Sequence, residues 1–206
     1  MVKDNYDLLH ENQELIVEID VIFAKAGYGV QIDGVVPEVC ENYSSFSLIK
    51  ARHPLIDKDK VVANSIILNE PKRMLLISGS NTGGKTVVLK TAGLLSLMAL
   101  CGMAVPCNQA VVPMFDQICV DLGDEQSIEQ SLSTFSSHMK RLVEITNDVS
   151  EKSLVLLDEI GSGTDPKEGQ SIAEAILRYL HKVNPLIVAS THYSGLKEFA
   201  KNEEYI

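Results

Sequence analysis

Residues 79–86 read Gly-Ser-Asn-Thr-Gly-Gly-Lys-Thr, between the apolar run Met74-Leu-Leu-Ile-Ser78 and a second apolar stretch, Thr86–Cys101. The octet carries Gly79, Gly84, Lys85 and Thr86 at the fixed positions of a phosphate-binding P-loop. Glycines let a backbone turn tightly and point its N–H groups inward as an anion nest. A helix that starts there adds its positive end. Lys85 supplies a point charge for the β- and γ-phosphates, and the Thr86 hydroxyl is a hard oxygen ligand suited to Mg²⁺. Met74–Ser78 predicts a strand buried on both faces. Thr86–Cys101, with Val87, Val88, Leu89, Ala92, Leu94, Leu95, Leu97, Met98 and Leu100, predicts a helix apolar almost all round. A chance Gly-rich turn lacks that strand-before, helix-after setting. ATP with Mg²⁺ is the expected ligand.

Downstream, Ser153-Leu-Val-Leu-Leu157 predicts a second buried strand that ends at Asp158-Glu159. Asp158 there reaches Mg²⁺, directly or through water, and Glu159 is placed to polarise an attacking water. Two surface acids closing a strand are the alternative. Pro185–Ser190 is a third apolar run and leads into Thr191-His192-Tyr193, where His192 orients the γ-phosphate or is structural. In an α/β sheet the carboxyl ends of strands converge on the ligand, so the three segments meet. Gly161-Ser-Gly-Thr-Asp165 is a loop tuned to the phosphates or to a partner, or an ordinary turn.

The remaining elements follow from periodicity. Asp4–Ala26 carries Leu8, Leu9, Leu15, Ile16, Ile19, Ile22 and Phe23 at helical spacing and is expected to stop at Gly27 and Gly29. Phe46–Ala51, Ser65–Leu68 and Gln117–Val120 are short strands. Ile128–Val149 is amphipathic, with Ile128, Leu132, Phe135, Met139, Leu142, Ile145 and Val149 on one stripe. Helices are expected over Glu168–Lys182 and from about Ser194. Strands alternating with helices predict an α/β fold with a mainly parallel sheet flanked by helices. The hydroxyls of Ser131, Ser133 and Thr134 open the long helix and serve either as caps or as an anion-binding end.

Bulk properties limit the partners. The 206 residues suit one domain or one domain with an appendage, and 45% hydrophobic with 22% charged content is ordinary for a globular chain. A net charge of −10 offers no footprint for a nucleic-acid backbone. The four cysteines form no C-x-x-C pair and read as reduced, buried thiols of a cytoplasmic protein. Gly93–Val105 is too short to span a bilayer, so no membrane is expected, and Met1–Asp20 is too acidic for a signal peptide.

Taken together, Arg52-His53-Pro54, GSNTGGKT, GDEQSIEQSLSTFSSHM, LVLLDEIGSGTDPKEG and Thr191-His192-Tyr193 resemble the ATPase domain of the MutS family. Ala24-Lys25-Ala26, Arg52–Leu55 and the long central stretch resemble its second bacterial branch, whose members do not perform mismatch recognition and carry a C-terminal Smr domain. The resemblance implies an ABC-type P-loop ATPase that forms a homodimer, each nucleotide lying between two subunits. It implies that Gly79, Ser80, Asn81, Thr82, Gly83, Gly84, Lys85 and Thr86 hold the phosphates, with Thr86 and Asp158 on Mg²⁺. It makes Glu159 the catalytic acid, assisted by Lys85, and His192 the switch histidine. Val61 and Val62 then border the adenine, and Ser133 reaches a partner's γ-phosphate, which joins the two readings of that helix start. Ser80 stands where the family loop carries Pro, and no aromatic residue lies in Val61–Asn64.

The implied division is residues 1–30 as the end of a lever-type helix and 31–206 as an ATPase domain shortened at its C-terminus. The implied activity is ATP hydrolysis driving a protein that acts on branched or recombining DNA or on collided ribosomes, through parts outside this chain. Nuclease activity belongs to those parts too. A nucleotide-gated dimerisation module with little turnover is the competing class. A transporter ATPase is disfavoured, because the signature is Ser133-Thr134-Phe135 rather than LSGGQ.

Overall fold

A computed structural model of the chain describes residues 5–79, 84–123 and 131–206, with side chains from 135 onward in the last segment. The sequence expectations for Ser80, Asn81, Thr82 and Gly83, for Asp124–Ile128 and for the side chains of Leu132 and Ser133 lie outside the described residues.

Helix α1 (Tyr6–Gln31) leads into β1 (Glu38–Cys40), β2 (Ser45–Ala51), β3 (Asn64–Asn69), β4 (Met74–Ser78) and α2 (Lys85–Leu100). Then come β5 (Gln109–Pro113), β6 (Gln117–Asp121), α3 (Ser131–Asp148), β7 (Ser153–Leu157), α4 (Pro166–Val183), β8 (Leu186–Thr191) and α5 (Ser194–Asn202). The chain is therefore α/β, but the expectation of one mainly parallel sheet is corrected. Among the described residues there are two four-stranded sheets. One has the order β4-β8-β7-β6 and is parallel throughout. The other has the order β1-β5-β2-β3 and pairs antiparallel except between β1 and β5.

The strands of the parallel sheet explain the layering. Successive side chains on a strand point to opposite faces. Leu154 and Leu156 of β7, with Leu186 and Val188 of β8, enter one core with Leu89, Ala92 and Leu95 of α2 and Phe46, Leu48, Ile66 and Leu68 of the second sheet. Val155, Leu157, Ile187 and Ala189 enter another core with Leu142 and Ile145 of α3, Leu177 and Leu180 of α4, and Leu196 and Phe199 of α5. Helix α2 approaches β7 closely at Gly93, where a Cβ would lie 2.7 Å from Leu156 Cδ1. Strand β4 differs from its expected burial on both faces. Its residues do alternate between the two cores, but it is the edge strand of its sheet, and Leu75, Leu76 and Ile77 are only half-buried.

Helix α1 also departs from expectation. It runs through Gly27 and Gly29 and stops at Gln31, where Asp33 turns left-handed at φ 49°. Gly29 is needed for closeness rather than termination, since a Cβ there would stand 2.9 Å from Ala104 Cβ. Most of α1 faces solvent, including Leu8, Ile16, Ile22 and Phe23. Of the cysteines, Cys107 is buried as expected, whereas Cys101 is exposed and Cys40 and Cys119 are half-buried; all four are free thiols.

Arg73 joins the two halves. It is buried, and its guanidinium donates to the carbonyls of Asn184 (3.0 Å) and Tyr43 (2.6 Å) and to Glu70 Oε1 (2.9 Å). Among the described residues no helix is long and apolar enough to cross a membrane.

Candidate nucleotide site

Because β4, β7 and β8 run parallel, their carboxyl ends share one edge. Ser78 pairs with Thr191, Leu157 with Ala189, and Asp121 at the end of β6 with Leu157. That edge gathers Gly79, Asp158, Glu159 and His192, as the sequence predicted. Strand β8 lies between the P-loop strand and the acid-bearing strand.

At the loop, Gly84 caps α2 in the left-handed conformation at φ 73°, which glycine adopts without a Cβ penalty. Lys85 begins the helix and is buried, and its ammonium donates to the Gly79 carbonyl at 2.7 Å, across the mouth of the loop. Thr86 Oγ1 donates to Asp158 Oδ2 at 2.6 Å. Two hard oxygen groups, 72 residues apart in sequence, therefore meet beside the helix N-terminus. The hydroxyl spends its hydrogen on the carboxylate and keeps lone pairs for a cation. Among the described residues no cluster of three or more His, Cys, Asp or Glu could hold a metal ion alone. Thr86 with one carboxylate fits Mg²⁺, which keeps waters and shares phosphate oxygens rather than taking an all-protein cage.

Asp158 is buried at the start of a sharp bend. Its N–H donates to the Asp121 carbonyl at 2.8 Å. Glu159 follows at φ 49°, a left-handed conformation rare outside glycine, asparagine and aspartate. Its backbone N–H donates to Ser190 Oγ at 2.9 Å, and Ser190 Oγ in turn donates to Asp158 Oδ1. Glu159 shares a narrow cavity with Asp121, His138, Gly161 and Ser162. Asp121 is buried, and its carboxylate lies 3.0 Å from His138 Nδ1 on α3. The sequence reading missed Ser190, Asp121 and His138. A serine closing an otherwise apolar run was the available signal for Ser190; the strand had been expected to end at Val120, one residue before Asp121.

Gly161-Ser-Gly-Thr-Asp165 turns left-handed at Gly161 (φ 82°) and Gly163 (φ 91°). Asp165 then caps α4 by accepting from Lys167 N at 3.0 Å. Tyr193 is buried and its hydroxyl donates to the Gly161 carbonyl at 2.8 Å. Burial, then the charges of Asp165 and Glu159, push the Tyr193 pKa above the ordinary phenol value, which keeps that donor protonated. His192 is exposed beside it, its ring 4.2 Å from the Tyr193 ring.

Val61 lines a small cleft with Arg52, His53 and Pro54, while Val62 is largely exposed. Burial lowers the His53 pKa below its ordinary value, and the charge of Lys90 on α2 lowers it further. Helix α3 packs against β6, at the sheet edge opposite β4. Three interstrand spacings, ~14 Å, separate those edge strands.

The profile of MutS domain V matches residues 75–206, which runs from the P-loop strand to the last residue. The chain belongs to the MutS family. Similar proteins include the "Endonuclease MutS2" of Finegoldia magna, 50% identical over 206 residues, covering 100% of this chain and 26% of that protein. The protein of the same name from Caldanaerobacter subterraneus subsp. tengcongensis is 50% identical over 201 residues, 97% of this chain and 25% of its own length. A third, from Clostridium perfringens, is 49% identical over 207 residues, with 100% and 26% coverage. This MutS-family chain thus spans about a quarter of the length of the curated relatives it matches.

Proposed function

We propose that the chain is an ABC-type ATPase domain that binds ATP with Mg²⁺ and hydrolyses it. The hydrogen bond from Thr86 to Asp158, formed where a P-loop opens a helix, is the observation that carries the reading. Lys85 draws the β- and γ-phosphates to the N-terminal end of α2, and the loop residues Gly79–Gly84 enclose them. Thr86 and Asp158 hold Mg²⁺, which neutralises charge gathering on the phosphate oxygens. Glu159, next to Asp158 in the chain, orients a water and takes its proton. His192 is placed at the same edge to respond to the γ-phosphate, and Val61 and Val62 border the base.

In this reading the site is completed by a second copy. Helix α3 packs on β6, across the sheet from the P-loop strand; in this reading Ser133 serves a partner's nucleotide rather than its own. Residues 1–30 serve as the base of a lever and 31–206 as the ATPase domain. ATP binding draws two copies together, and hydrolysis releases them. The work is delivered to branched DNA or to collided ribosomes by other parts of a longer protein; the charge of −10 argues against this chain gripping nucleic acid itself. The reading places the protein in the cytoplasm, in keeping with four free thiols, and gives this chain no nuclease step.

The test is Glu159→Gln, assayed for phosphate release and for size with and without ATP. Turnover is expected to be lost while an ATP-dependent dimer accumulates. Turnover at the wild-type rate removes Glu159 as the base. An ATP-dependent dimer in a wild-type chain that never releases phosphate favours the nucleotide-gated module instead.

A further inference from the structure

We propose that Ser190 is a positioning residue for both acids of the site, Asp158 and Glu159; the proposal rests on the ATPase reading above. Ser190 is fully buried at the penultimate position of β8. A hydroxyl has one hydrogen to give and two lone pairs to accept with. Here the hydrogen goes to Asp158 Oδ1, and a lone pair takes the Glu159 N–H at 2.9 Å. The Ser190 carbonyl also accepts from Ile160 N at 3.1 Å. One serine therefore holds three consecutive residues. Buried serines on regular elements commonly satisfy themselves on nearby backbone. Ser96 does so on Ala92, whereas Ser190 reaches 31 and 32 positions along the chain.

The two bonds act on different parts of the chemistry. Asp158 has Thr86 on one oxygen and Ser190 on the other, which fixes the plane of its carboxylate. Cation affinity depends on that plane. The bond to the Glu159 N–H clamps a residue whose backbone is left-handed, and so bears on the direction in which its side chain leaves. Without the hydroxyl, Asp158 rotates more freely and the half-buried Glu159 amide loses its partner. Ser190 directly precedes Thr191 and His192, so the same contact also ties the acid pair to the segment that senses the γ-phosphate.

The experiment compares wild type, Glu159→Gln, Ser190→Ala, Ser190→Thr and Ser190→Cys. Turnover is measured, and ATP affinity is measured by calorimetry in EDTA and again in Mg²⁺. Ser190→Ala is expected to lower turnover on the order of 10–100-fold and to cut the gain in ATP affinity that Mg²⁺ gives, as loss of an outer-shell partner does. Affinity in EDTA is expected to stay at the wild-type value, a split that general damage to the fold does not produce. Ser190→Thr, which keeps the hydroxyl, is expected to restore most of both. If Glu159→Gln is inactive while Ser190→Ala keeps wild-type turnover and the full Mg²⁺ gain, the role of Ser190 is refuted and the ATPase reading stands. If Glu159→Gln retains turnover, the general-base role of Glu159 fails, and the Mg²⁺ gain alone decides on Ser190; if wild type itself releases no phosphate, the ATPase reading fails. If Ser190→Ala does not fold, Ser190→Cys, with its weak thiol donor, must fall between; wild-type values in that variant refute the proposal.

Discussion

Replacing Gly161 by alanine tests how tightly the loop after the acids is seated. The residue sits at φ 82°, and an added Cβ would lie 2.2 Å from the Gly169 carbonyl oxygen and 3.3 Å from Ala173 Cβ. Both neighbours belong to α4, and the nearer one is backbone, so no flexible side chain can give way. Holding a residue with a Cβ left-handed costs ~1–2 kcal/mol. Displacing packed backbone to admit a methyl costs a further ~1–3 kcal/mol. For a domain of this size a loss of about 2–5 kcal/mol lowers the melting temperature by roughly 5–20 °C. Gly161 also accepts the Tyr193 hydroxyl, so the same shift disturbs the contact between the loop and the Thr191-His192-Tyr193 segment. Far-UV circular dichroism is the suitable melting probe, because the chain has no tryptophan. Gly27→Ala is the internal control. A Cβ there meets nothing within 4 Å, and Gly27 lies within α1, so the same substitution is expected to stabilise by ~0.5–1 kcal/mol. A Gly161→Ala melt within about 1 °C of wild type would refute the packing argument.

Arg73→Ala leaves the part-buried carbonyls it serves without this donor and is expected to cost ~1–3 kcal/mol in denaturant unfolding. Arg73→Lys should recover little, since an ammonium cannot reproduce the fork across Asn184, Tyr43 and Glu70; wild-type stability in the lysine variant would show that the fork is dispensable. His53 has a pKa lowered from 6.5 by burial, so its contribution to stability is present above that value and is lost as pH falls through the folded-state value. His53→Gln is therefore expected to flatten the loss of stability between about pH 7.5 and pH 5, and an unchanged slope would contradict it.

The parallel half of the fold was legible because burial on both faces writes itself as unbroken apolar runs: Ser153–Leu157 and Leu186–Thr191 are buried throughout. The second sheet was half-legible. Strand β2 alternates, but β1 has three residues and no pattern, and β5 ends in a proline. The division into two sheets depends on long-range pairing that no local window carries. Gly29 misled for a physical reason, since a helix tolerates glycine where close approach, as at Ala104, repays the lost propensity; Gly27 has no such contact. At the site, residues needed for their own chemistry stood out, as Lys85, Thr86, Asp158 and Glu159 do. Residues that act by holding others did not. Ser190 reads as the polar end of a strand, and Asp121 with His138 becomes a pair only once β6 and α3 are brought together.

The left-handed backbone at Glu159 sets stability and chemistry against each other at a single position. Glycine there would relieve ~1 kcal/mol of conformational penalty. Glu159→Gly is thus expected to melt above wild type and to be catalytically silent. A sequence drifting under demand for a sturdier fold alone would shed this acid early. On the proposed ATPase reading, its presence in the bend reflects a demand for turnover that outweighs the backbone's own preference.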